Sequence, residues 1–185
     1  MGFVALVAGA SMYTARGGVR GGAPPSHGYF AWERSFIIAA VVLTAVGLAL
    51  LGGYLQESDG RVLARTGATL YFLGGVLIVA SEATDLAQGF HETRLEAFVV
   101  SYIVLSFLAQ VAIGGSLLRA GLLAAWIGWV TIGWSIGCLV VSAVTGSYYI
   151  PFEHHVMPLV IGIALLSRAA GQLGGSQEAS TADQT

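Results

Sequence analysis

Apolar residues in this chain gather into five long runs, Phe36–Leu55, Gly67–Ala87, Ala97–Leu118, Gly121–Val144 and Ile150–Ser167, separated by short polar stretches. Crossing about 30 Å of hydrocarbon at about 1.5 Å of helix rise per residue takes roughly 20 mostly apolar residues. Four runs meet that length, and the fifth is shorter and interrupted by Pro158. The pattern predicts an all-α protein: a polytopic transmembrane bundle of five spans forming one domain over residues 1–168. Gly2–Tyr13 is apolar as well. Twelve residues make only about 18 Å of helix, so residues 1–24 are read as part of a sixth span, an interfacial helix or a cleaved segment.

Polar punctuation sets the connections. Ala15–Ser35, glycine-rich and holding Pro24-Pro25, predicts an irregular loop, with Glu33-Arg34 as a polar stop at the membrane boundary. Gln56–Thr66 and Gln88–Glu96 carry clustered charges, Arg119-Ala120 makes a tight hairpin, and Thr145–Tyr149 has no charge. From Ala169 the composition turns to Gly, Ser, Gln, Thr and Ala, predicting a disordered tail over residues 169–185. Short connections force the helices to alternate in direction. Arginines near span ends then favour the Gln56–Thr66 loop and the tail as cytoplasmic.

Composition agrees with a membrane solvent. Hydrophobic residues make up 56% of the chain and charged residues 10%, against about 25% charged in a typical soluble domain, and the mean hydropathy is +0.78. A net charge of −2 gives no electrostatic case for nucleic acid. All eight basic residues are arginine, and lysine and asparagine are absent. Codons for those two are AT-rich, which suggests a GC-rich, bacterial genome, and without asparagine there is no N-glycosylation acceptor. Cys138, the single cysteine, lies within a span and has no internal disulfide partner.

Alternation places all four histidines, His27, His91, His154 and His155, on one membrane face, together with six of the ten acids. Glu82 and Asp85 are three residues apart and share a helix face. An acid inside a membrane normally faces the bundle interior or a wet cavity, so these two are candidate ligand-binding residues, with Glu82 a candidate general acid. Glu153, His154 and His155 open the last span. Pro158, four residues after His154, frees the carbonyl of His154, and these residues together could hold a cation, a proton or a polar substrate. His91, His154 and His155 are metal-ligating candidates, and metal or haem is the cofactor they would bring. Against that, adjacent histidines point about 100° apart on a helix, and no HExxH, HxxxH or CxxC spacing is present. The alternative readings are interfacial hydrogen bonding for the histidines, an ion pair with Arg34 or Arg94 for Glu82, and an interhelical hydrogen bond for Gln110. Gly52-Gly53, Gly74-Gly75, Gly114-Gly115 and Gly133-x-x-x-Gly137 allow close helix packing, within the monomer or across a homo-oligomer face.

His27-Gly-Tyr-Phe-Ala-Trp-Glu-Arg34, Trp126-Ile-Gly-Trp129 and Tyr148-Tyr-Ile-Pro-Phe-Glu-His-His155 resemble stretches of small, uncharacterised multi-span bacterial integral membrane proteins. That resemblance covers most of the chain and implies a bacterial integral membrane protein, with no activity attached; the inner membrane is the expected location. The expectation is a non-enzymatic accessory or binding subunit partnered by the bilayer and by another membrane protein or a second copy. The alternatives are a proton, metal or small polar ligand transport module using the acid/histidine face, and a cyclase- or isomerase-type membrane enzyme with Glu82 as intramembrane acid.

Overall fold

Ser26 starts the first long helix: its Oγ accepts from the Tyr29 backbone N–H at 3.1 Å, satisfying one of the helix's orphan donors. The computed structural model describes residues 2–17, 24–88, 96–145 and 153–182, with side chains in the last helix described as far as Gly171. Within them lie six helices: α1 Gly2–Ala15, α2 His27–Tyr54, α3 Arg61–Gln88, α4 Glu96–Ala120, α5 Ala125–Thr145 and α6 Glu153–Ala182. Five of these, α2 to α6, are long and apolar enough to cross a membrane. The chain is an all-helical, membrane-integral bundle.

Val42, Val46, Leu50, Phe72, Val76 and Val140 all stand exposed, which suits hydrocarbon rather than water on the outside. Inside, Tyr71, Phe107, Ile113 and Leu117 form the core. Sequential helices from α1 to α5 pack side by side, and α6 lies across the row, touching α1, α2, α4 and α5. Alternation gives an upper end, where α2 begins and α3 ends, and a lower end, where α2 ends and α3 begins.

Glycine sets the tightest crossings. A Cβ on Gly67 would sit 2.8 Å from the Ala109 carbonyl oxygen, and one on Gly114 would sit 2.8 Å from that of Gly128. Gly74 and Gly75 also face neighbouring helices, whereas Gly133 and Gly137 face open space. The glycine pairs therefore divide between packing inside the bundle and the outer surface.

Two expectations need correction. The loop expected over Ala15–Ser35 gives way to helix from His27, where α2 begins eight residues before the end of that stretch. Glu33 and Arg34, read as a boundary stop, are each 0% exposed. The backbone of α6 runs past Ala169 as helix to Ala182. The His91, Glu92 and Arg94 loop, Tyr148-Tyr149 and residues 18–23 lie outside the described residues.

Candidate functional site

Two polar layers are buried at different depths. The upper layer is a string of alternating charge. Arg16 grips Glu33 with both prongs of its fork, Nε to Oε2 at 2.7 Å and Nη2 to Oε1 at 3.0 Å. Arg34 Nη2 lies 3.5 Å from Glu33 Oε1, and Arg34 Nη1 donates to Glu82 Oε2 at 2.7 Å. Phe30 lies under the Arg34 guanidinium at 4.9 Å and Tyr13 under that of Arg16 at 4.8 Å, so aromatic faces share the positive charge. Asp85, 1% exposed, follows one turn after Glu82 on α3. The string ties together the end of α1, the first turns of α2 and the last turns of α3. Of the two arginines considered for Glu82, Arg34 pairs with it, and Arg94 lies outside the described residues.

The second layer sits lower. Thr44, Tyr71, Gln110 and Trp134 each lie nine or ten residues from the lower end of their helix, about 15 Å at about 1.5 Å per residue. The first turn of α6 joins them there. Gln110 Nε2 donates to the His154 carbonyl at 3.0 Å, and Trp134 Nε1 donates to that of Glu153 at 3.1 Å. The carbonyl freed by Pro158 is thus taken by Gln110, and the expected interhelical hydrogen bond of Gln110 is this one. The His154 ring stands edge-on to Tyr102 and Phe107, with centroids 5.3 and 4.8 Å away. His155 Nδ1 is 3.1 Å from Thr44 Oγ1, and the Tyr71 and Tyr102 hydroxyls are 3.4 Å apart. Tyr71 also interacts with Thr44, and the Glu153 carboxyl with the Cys138 thiol. Gln110 Oε1 and His154 Nδ1 are buried with no hydrogen-bond partner among the described residues.

The placement of α6 corrects the expected geometry. Thr145, where α5 ends, lies eleven residues beyond Trp134, about 16 Å higher, yet α6 begins at the level of Trp134. His154 and His155 are therefore near mid-depth, 5% and 3% exposed, and not on a membrane face. The candidate residues do not form one cluster. Glu82 and Asp85 belong to the upper layer, while Glu153, His154 and His155 belong to the lower, about 16 Å away along α3. His91 lies outside the described residues, and among the described residues no three His, Cys, Asp or Glu side chains group to hold a metal ion.

A groove opens sideways onto the lower layer. Between α2 and α6, Thr44 and His155 stand at its head with Gly2 and Phe3 of α1, and Leu48, Leu159 and Gly162 line its walls in a space of about 250 Å³. It continues past Gly47, Leu51 and Leu165 into a second space of about 440 Å³ that reaches Tyr54 and Arg168 near the lower end. Arg168 Nη1 donates to the Leu122 carbonyl. A second groove, of about 540 Å³ between α2 and α3, is walled by Val42, Val46, Phe72 and Val76 and has no polar group at its head.

Sequence reasoning passed over Thr44, Tyr71, Tyr102 and Arg16. Tyrosine within a span is itself a signal, because membrane tyrosines concentrate at the interfaces. A lone threonine carries none, since its hydroxyl is commonly absorbed by its own helix. No protein-family model, curated protein or solved structure matches this chain.

Proposed function

We propose that the chain is a membrane-embedded binding protein whose ligand is lipid-soluble, enters sideways between α2 and α6, and places one polar group against Thr44 and His155. The observation that carries this reading is the groove itself: open along its length to the surrounding hydrocarbon, apolar along its walls, and closed by a hydrogen-bonded Thr–His pair at mid-depth. Ligand sites are typically concave and mostly apolar, with a few placed polar groups. The buried atoms of Gln110 and His154 extend the polar layer behind that pair.

The upper string favours a structural role for Glu82. A carboxylate gripped by a guanidinium at 2.7 Å is a poor match for the protonated acid that a cyclase or isomerase would require. The same residues bear on orientation. Arg16 and Arg34 are withdrawn into buried pairs, whereas Arg61, Arg65, Arg119 and Arg168 belong to the lower end, so the positive-inside tendency favours the lower end and the α6 C-terminus as cytoplasmic. A bacterial inner membrane fits this arrangement.

Gly47 and Gly162 line the groove and have open space where a side chain would stand. Gly47→Trp or Gly162→Trp should fill the groove without disturbing the fold. Lipid extracts of protein purified in native nanodiscs, compared by mass spectrometry, should contain a lipophilic compound that the filled variants lose. Identical extracts from wild type and both variants would refute the proposal.

A further inference from the structure

The Thr44 hydroxyl has one hydrogen and two lone pairs to distribute. Its Oγ1 lies 2.8 Å from the Ala40 carbonyl oxygen, a group that can only accept, so the hydrogen goes there. Toward His155 Nδ1, 3.1 Å away, Oγ1 must then accept. The proton of the His155 ring is therefore on Nδ1. A second proton would place a charge near the middle of the hydrocarbon, which is costly, so Nε2 is left as a bare acceptor. His155 is one of the residues that line the groove.

We infer that the groove selects a single-chain lipid ending in a hydrogen-bond donor, a hydroxyl, which donates to His155 Nε2, and that it discriminates against the same chain ending in a ketone or an ether. A carbonyl or ether oxygen at that position would set acceptor against acceptor and leave Nε2 without a bond. Shape agrees with one chain: from His155 to Leu166 the α6 wall of the groove runs eleven residues, about 16 Å, close to one leaflet of a hydrocarbon core about 30 Å thick. Thr44 is a positioning residue, since it acts by holding the proton on Nδ1.

This inference rests on the ligand-binding reading above, and its test separates the two. Saturable binding of radiolabelled 1-hexadecanol to the full chain in nanodiscs would be measured in competition with its methyl ether and with the methyl ketone of equal length. Wild type should prefer the alcohol by about tenfold or more, the effect of leaving one buried acceptor unsatisfied. Thr44→Val removes the acceptor that fixes the Nδ1 proton; the proton can then move to Nε2 and donate to the ketone, so the alcohol-to-ketone ratio should fall toward one. Thr44→Ser should keep the wild-type ratio, and His155→Leu should lose the discrimination while still binding the chains. Equal affinity for all three compounds in wild type, or an unchanged ratio in a folded Thr44→Val protein, would overturn the donor selectivity and leave ligand binding standing. No saturable binding of any of the three would overturn both.

Discussion

Replacing Arg34 with methionine should be among the most damaging single changes in the bundle, and removing its partner as well should restore much of the loss. Arg34 is 0% exposed, donates to Glu82 at 2.7 Å and lies 3.5 Å from Glu33. At an effective dielectric of about 20, two unit charges 4 Å apart attract by about 4 kcal/mol, and removing one partner of a buried pair typically costs about 3–5 kcal/mol. Arg34→Met takes the guanidinium away from buried Glu82, which stands beside Asp85, while Glu33 keeps its two-pronged bond to Arg16. The single variant should therefore lose about 3–5 kcal/mol. Arg34→Met/Glu82→Leu removes both charges together, and replacing an entire buried pair by apolar groups is often close to neutral, so the double variant should fall within about 1 kcal/mol of wild type. The assay is reversible unfolding in mixed detergent micelles, followed by tryptophan fluorescence and read as a double-mutant cycle. A loss below about 0.5 kcal/mol for Arg34→Met, or a double variant whose loss is the sum of the two singles, would refute the buried string as a coupled unit.

Two further outcomes follow from the packing. Gly67→Val drives a side chain into the Ala109 carbonyl and Ile113 and should cost at least about 1–3 kcal/mol of stability, whereas Gly137→Val meets nothing within 4 Å and should leave the unfolding midpoint unchanged. Gln110→Leu removes the donor to the His154 carbonyl and should cost about 1 kcal/mol. In a Pro158→Ala background, residue 158 regains the N–H that serves that carbonyl, so Gln110→Leu should there be close to neutral; equal costs in both backgrounds would contradict the exchange.

The spans were legible because hydrocarbon imposes a length, and runs such as Phe36–Leu55 and Ala97–Leu118 carry that length on their face. The start of α2 was not, because Glu33 and Arg34 read as water-seeking when considered alone. Only their partners Arg16 and Glu82, 17 and 48 residues away, make them interior groups. Depth was equally hidden. Ile150–Ser167 is apolar enough to begin at a membrane face, and nothing in a hydropathy pattern records that the first turn of α6 is hung from Gln110 and Trp134. Of the candidate site, His154, His155, Glu153 and the Gln110 bond could be found from intramembrane polarity and the Pro158 offset. Thr44 needed the fold, since its role comes from which helix stands opposite, whereas Tyr71 carried a signal as a tyrosine within a span.

The central claim is that the groove between α2 and α6 is a site and the groove between α2 and α3 is only surface, and photolabelling tests it most directly. A diazirine-bearing 1-hexadecanol would be activated on the full chain in nanodiscs and the labelled residues mapped by mass spectrometry. Labels should concentrate on α6 and the facing side of α2, around Leu48, Leu159 and Gly162, and be lost in Gly47→Trp. The groove between α2 and α3 around Val42, Val46 and Val76 should be labelled only at the level of bulk lipid-facing surface. Equal labelling of both grooves, or a pattern that Gly47→Trp leaves unchanged, would contradict the account.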